Sequence, residues 1–300
     1  MSNKLKSETI FRYPHLPDEE IDLDQEFQTR QSYREFDISG NLVVEMAYTQ
    51  QGELADKTEY RYDDSGRLAE TLIYGEDDEV LERREAERDN DGRLEREIIY
   101  YLDGSADTHE YVYDEKGNLI EMKVVDDDDE PESSEKYFYE DDHLVKVERL
   151  NEFNKVVFRQ EDTYENGKIS SRKIWSSEEG EPYTIVNKFN EAGLREQELR
   201  YNSRDQLIER NIFEEDEHGH VTRIIEENRQ RKNITDITFD EQGNVIHQVE
   251  TDMNGDLNHE IFRTYNTDGQ LILTTVETVM KTTGATMAYS LIYKRETFGE

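Results

Sequence analysis

The chain has no cysteine, which excludes disulfides, thiol catalysis and cysteine-held metal. Proline occurs 4 times in 300 residues, and tryptophan once, as Trp175. No apolar run approaches the ~20 residues of a membrane-spanning helix. The opening stretch MSNKLKSETIFRYPHLPDEE lacks the apolar segment of a secretory leader. These absences point to a cytoplasmic protein. Positive charge is short as well: 36 Lys and Arg face 73 Asp and Glu, a formal net charge of −37. Such a field repels nucleic acid and anionic lipid and draws in a basic partner.

Hydrophobic residues make up only 33% of the chain, lean for a thick core. Disorder is nevertheless the wrong expectation, because 18 Tyr and 11 Phe give an aromatic content that disordered chains do not carry. The aromatics are placed periodically. Aligned on one turn position, the chain falls into ten units at Gly40, Gly66, Gly92, Gly117, Asp142, Gly167, Gly193, Gly219, Gly243 and Gly269, spaced 24 to 26 residues apart. An aliphatic residue follows each position, as at Leu68, Leu119 and Ile169, and an acid or Asn precedes it. Eight units place an aromatic before the turn, among them Tyr62, Tyr113 and Tyr164, while the third has Arg88 and the eighth Glu215.

Asp or Asn opening and Gly closing is the chemistry of a tight hairpin, because the side chain caps backbone amides and Gly accepts positive φ. Flanks such as TEYRYD and HEYVYD alternate with the period of strands. A second, looser set of breakers lies midway between these turns, so each unit reads as two strands and two turns. The expected fold is all-β: a repetitive antiparallel meander of about ten two-stranded units in one long, twisted sheet coiled on itself. Its concave side would carry the Tyr/Phe and Leu columns, its convex side the Glu, Lys and Arg. A propeller would ask for more aliphatic residues, and a parallel β-helix would not use short hairpin turns. Residues 1–30 are expected as an extension or cap, 31–279 as the repeat domain and 280–300 as capping strands.

The phrase Y-x-Y-D-x-x-G-x-L, seen at Tyr60–Leu68 and Tyr111–Leu119, resembles the YD repeat of the RHS family. The shorter YENGKI, Tyr164–Ile169, is similar to the MORN-variant repeats of antitoxin-like proteins of the YwqK family. The resemblance covers about residues 31–275. It implies β-repeat construction and an association with toxin and immunity systems, and no activity.

Chemical constellations are weak. Carboxylate pairs abound and are uninformative without a desolvated cleft. His218 and His220 flank the eighth turn without a third ligand. Asp252–Glu260 misses the glycine and bidentate glutamate positions of a calcium loop. No catalytic residue, cofactor or metal site is expected, and the aromatic columns read as ladders holding hairpins together more simply than as sugar platforms. The expected function is non-enzymatic: an acidic, immunity- or antitoxin-like protein holding a basic protein, toxin-like or an assembly subunit. A scaffold component of a secretion or phage-like assembly and a carbohydrate-binding repeat are the alternatives. Trp175 and the run Asp126, Asp127, Asp128 and Asp129 are the candidate contact residues, and Tyr62, Gly66, Leu68, Tyr113, Gly117, Leu119, Tyr164, Gly167 and Ile169 define the repeat.

Overall fold

A computed structural model describes residues 4–17, 19–24, 28–177 and 180–299. Among the described residues there is no helix, and 22 strands follow one another. In chain order they are β1 (Leu5–His15), β2 (Thr29–Phe36), β3 (Leu42–Tyr48), β4 (Leu54–Tyr62), β5 (Leu68–Tyr74), β6 (Val80–Arg88) and β7 (Leu94–Tyr101). Then come β8 (Ala106–Tyr113), β9 (Leu119–Val125), β10 (Pro131–Glu140), β11 (His143–Asn151), β12 (Val156–Glu165), β13 (Lys168–Ser176), β14 (Tyr183–Phe189) and β15 (Arg195–Asn202). The last are β16 (Leu207–Glu215), β17 (Val221–Asn228), β18 (Lys232–Phe239), β19 (Val245–Asp252), β20 (Leu257–Tyr265), β21 (Leu271–Val279) and β22 (Thr286–Thr297).

All 22 belong to one sheet. The expected open, coiled sheet is overturned by its ends: β1 pairs antiparallel with β2 on one side and with β22 on the other, Thr9 facing both Tyr33 and Lys294. The ladder therefore closes as a 22-stranded antiparallel β-barrel, and the first and last strands are seam partners. Closure leaves no strand edge with unpaired backbone groups, which an open sheet of this length would have to protect by other means. Two compact units are distinguishable. The first comprises residues 1–60, 74–79 and 211–300, and the second residues 61–73 and 80–210.

Most main turns are built alike, as Asp114–Asn118 shows, whereas Asp141–Asp142 and Asn166–Gly167 form two-residue turns. The Asp114 amide donates to Asn118 O at 2.9 Å, and the Gly117 amide donates to Asp114 O at 3.0 Å. The carboxylate Oδ1 accepts the amides of Lys116 and Asn118, and Oδ2 accepts the Asn118 side chain at 3.0 Å. Gly117 closes the turn at φ +88°. The following residue resumes one place out of register, so Tyr113 pairs with Leu119. Most mid-unit breakers, expected to be looser, form the same five-residue turn, as at 101–105, 126–130, 151–155 and 202–206, while the turn at 228–231 is one residue shorter. In the five-residue turns Asp78, Asp129, Asn154 and Asp205 take the positive φ that Gly takes elsewhere, which Asp and Asn tolerate.

Segregation of aromatics and charges onto opposite faces is also overturned. On β6, Arg83, Glu85 and Glu87 face the same way as Tyr100, Ile98 and Arg96 of β7, while Glu82, Arg84 and Ala86 face the other way with Tyr101, Ile99 and Glu97. Ion-pair ladders run on both faces: Arg96–Glu87 and Arg159–Glu148 on one, Arg149–Glu135 and Arg172–Asp162 on the other. The buried apolar set is small, with Leu72, Ile99, Val147, Leu150 and Leu199 in the second unit and Ala288 and Ile292 at the β1–β22 seam. Leu68, expected as a repeat-defining packed residue, is 37% exposed. It starts β5 directly after the turn, where its side chain is not covered.

Candidate partner-binding edge

A meander of hairpins sends alternate turns to opposite edges. In the second unit, one edge carries the turns centred on Gly66, Gly92, Gly117, Asp142, Gly167 and Gly193, and the other carries the mid-unit turns. The two edges differ in chemistry.

The first edge is partly self-paired. The cation after one turn reaches the next: Lys116 Nζ lies 2.6 Å from Asp142 Oδ1, and Lys168 Nζ donates to Gly193 O. Arg67 pairs with Asp63 at 2.9 Å and stretches over Gly92, where any Cβ would collide with its guanidinium. Turns are also stapled from behind. Tyr113, Tyr139 and Tyr164 donate their hydroxyls to the carbonyls of Leu94, Leu119 and Leu144 at 2.9–3.0 Å. Arg88, the exception to the aromatic rule, donates to Leu68 O at 3.0 Å, and Asn187 donates to Ile169 O beside hydroxyl-less Phe189.

Among the described residues, the turns of the mid-unit edge show no such ion pair. Its turns span residues 101–105, 126–130, 151–155, 177–182 and 202–206, of which 178 and 179 lie outside the described residues. Among the described residues, Asp103, Asp126, Asp127, Asp128, Asp129, Glu130, Glu152, Glu181 and Asp205 stand there against Lys155 and Arg204. Asp126 is a turn-forming residue, its Oδ1 accepting the amides of Asp128 and Glu130 at 3.0 and 2.8 Å, whereas Asp127, Asp128 and Asp129 are exposed. Burial and the nearby carboxylates of Asp107, Asp126 and Glu152 push the Glu132 carboxyl above its ordinary value. The Tyr101 hydroxyl donates to Asp107 at 2.8 Å, and that bond, with burial and the Asp107 charge, pushes it up to about 12. Negative charge is crowded along this edge.

Trp175, at the end of β13, lies on the same edge and is 38% exposed. It borders an open cleft of about 400 Å³ that Tyr183 also lines, with Arg159, Lys173, Glu161 and Asp205 in balanced charge. Two residues that sequence reasoning passed over join it. Leu102 is 54% exposed and Phe153 79%. Phe153 lies in NEFNK, one of the breakers midway between the main turns. The signal was there, because neighbouring turns place Asp, Glu, Ser or Arg at these tip positions. The structure thus brings Trp175 and Asp126–Asp129 to one edge, in different turns, while the repeat-defining Tyr62, Gly66, Tyr113, Gly117, Leu119, Tyr164, Gly167 and Ile169 lie at or beside the opposite one.

Among the described residues no group of three His, Cys, Asp or Glu is placed to hold a metal. His220 instead pairs with Asp216 at 3.1 Å and stacks on Phe239, and Asp252 caps its own turn through the amides of Asn254 and Asp256.

The fold and edge define an all-β repeat protein with a closed antiparallel ladder. No family model matches the chain, and no curated protein matches it. Solved structures similar to it include TcdB2-TccC3-TEV, at 10% identity and TM-score 0.31, covering 97% of this chain and 21% of that one. A porin-like protein from Bacteroides uniformis has the same identity and TM-score, covering 97% of this chain and 96% of its own. The chain spans about a fifth of the length of the TcdB2-TccC3-TEV chain it matches. The fold assignment rests on the strand pairings themselves.

Proposed function

We propose that this is a non-enzymatic binding protein that holds a basic protein partner, in the manner of an immunity or antitoxin protein. The observation that carries the reading is the contrast between the two edges of the second unit. One pairs Asp63, Asp89, Asp91 and Asp142 with its own Arg and Lys. The other leaves its acids crowded and open, which costs free energy in the isolated chain and is relieved by an incoming cation. Charges on both faces of β6 argue against bilayer contact there, since a membrane-spanning strand needs one apolar face. An open acidic edge also steers a basic partner and speeds encounter.

Capture from native lysate, with elution in steps from about 0.05 to 0.5 M salt, tests this because exposed charge pairs are screened over that range. Basic proteins should be retained at low salt and released as it rises, and conversion of Asp127, Asp128 and Asp129 to Lys should abolish retention. A tight partner indifferent to salt, or one retained by the Lys variant, would show that the acid serves solubility alone.

A further inference from the structure

The mid-unit edge carries apolar groups that folding does not demand. In the five-residue turns at 126–130, 151–155 and 202–206 the first residue caps and the fourth takes positive φ, leaving the second and third without a capping role; at 101–105 Asp103 caps Ser105 and Leu102 has no such role. Those free positions hold Asp127 and Asp128 in one turn and Ser203 and Arg204 in another. At 101–105 and 151–155 they instead include Leu102 and Phe153, both largely exposed. An exposed Phe at a turn tip contributes little to stability, and anchors at interfaces are drawn from such side chains and from Trp.

Consecutive turns on this edge are two strands apart, about 9.6 Å. Leu102, Phe153 and Trp175 therefore form a row about 29 Å long, with the Asp126–Asp129 turn set between Leu102 and Phe153. Glu152 adjoins Phe153 in its own turn. We propose that this edge is the docking surface for an amphipathic cationic segment, its apolar side chains seated on Leu102, Phe153 and Trp175 and its Lys and Arg against Asp127, Asp128 and Glu152. The inference rests on the basic-partner reading and adds the shape and chemistry of what is bound. An α-helix of ~19 residues spans the row. A second copy of this chain is disfavoured by its net charge of −37.

The full chain can be titrated with two labelled peptides of ~19 residues and equal positive charge, one of Leu and Lys with a helical apolar stripe, the other of Ser and Lys. Fluorescence anisotropy at low salt reports affinity, and the emission of Trp175, the only tryptophan, reports contact with this edge. The Leu/Lys peptide should bind at least about tenfold more tightly and shift the Trp175 emission to the blue, the gain expected from covering apolar side chains. Leu102→Ser with Phe153→Ser, substitutions at exposed tips, should remove that advantage and leave the Ser/Lys peptide unchanged. Asp127→Lys with Asp128→Lys should weaken both.

Equal, salt-sensitive affinity for the two peptides would overturn the docking edge while leaving the basic-partner reading intact. Binding of neither peptide would overturn the edge, and with loss of salt-sensitive capture from lysate would overturn both. Sedimentation showing a dimer that the double Ser variant abolishes would assign Leu102 and Phe153 to self-association and overturn the proposal.

Discussion

At the scale of single residues, the repeat is maintained by two small devices. The first is the tyrosine hydroxyl that ties one turn to the carbonyl before it. Tyr113→Phe keeps the ring and removes only the bond to Leu94 O. It should cost about 1 kcal/mol in urea unfolding, the usual net worth of one hydrogen bond, and an unchanged midpoint would show that water replaces it at no loss. The second device is the capping aspartate. The backbone amides of Asn41, Arg67 and His220 hold the carboxyls of Asp37, Asp63 and Asp216 below the ordinary value, and the side chains of Asn118 and Asn244 do so for Asp114 and Asp240. A carboxyl depressed in the folded state stabilises above its unfolded value and loses that contribution as pH falls through the folded one. The denaturation midpoint should therefore drop below about pH 4, and less steeply in Asp114→Asn. A midpoint flat between about pH 5 and 2 would remove the caps from the stability account.

At the scale of elements, each strand contributes little buried surface, and its stability rests on its neighbours. The aliphatic residue after each turn looks like the core of the repeat in the sequence, yet Leu68 is exposed while Ile99, in mid-strand on β7, is 4% exposed. Ile99→Ala should cost about 2–5 kcal/mol and Leu68→Ala less than about 1 kcal/mol, because only the first opens a cavity. Equal losses from the two in chemical denaturation would contradict this placement. Strands paired directly with β7 should lose amide-exchange protection before distant ones do. The charged strands are possible because arginines and glutamates face one another across the ladder, as Arg159 and Glu148 do at 2.9 Å.

At the scale of the whole molecule, 22 antiparallel strands form a closed sheet in which the first strand finds the last. Much of this was legible beforehand. The strand period, the turn positions, the absence of helix and the antiparallel hairpins follow from alternation and from Asp-x-x-Gly chemistry, which act over a few residues. Closure did not follow, because Thr9 and Lys294 are paired by the accumulated geometry of the strands between them, and no local signal reports it. The face assignments failed for a related reason: Arg and Glu fall on both faces of a strand such as β6, and the cross-strand partner that meets each is set by the pairing and not by the strand's own pattern. The binding edge was half legible. Trp175 and Asp126–Asp129 stood out by residue type, but their joining with Leu102 and Phe153 depends on which turns share an edge. Sequence by itself determined the repeat and its turns, since these are local hydrogen-bond chemistry. Only tertiary structure decided that the ladder closes and which turns stand together, since both depend on pairing between residues far apart in the chain.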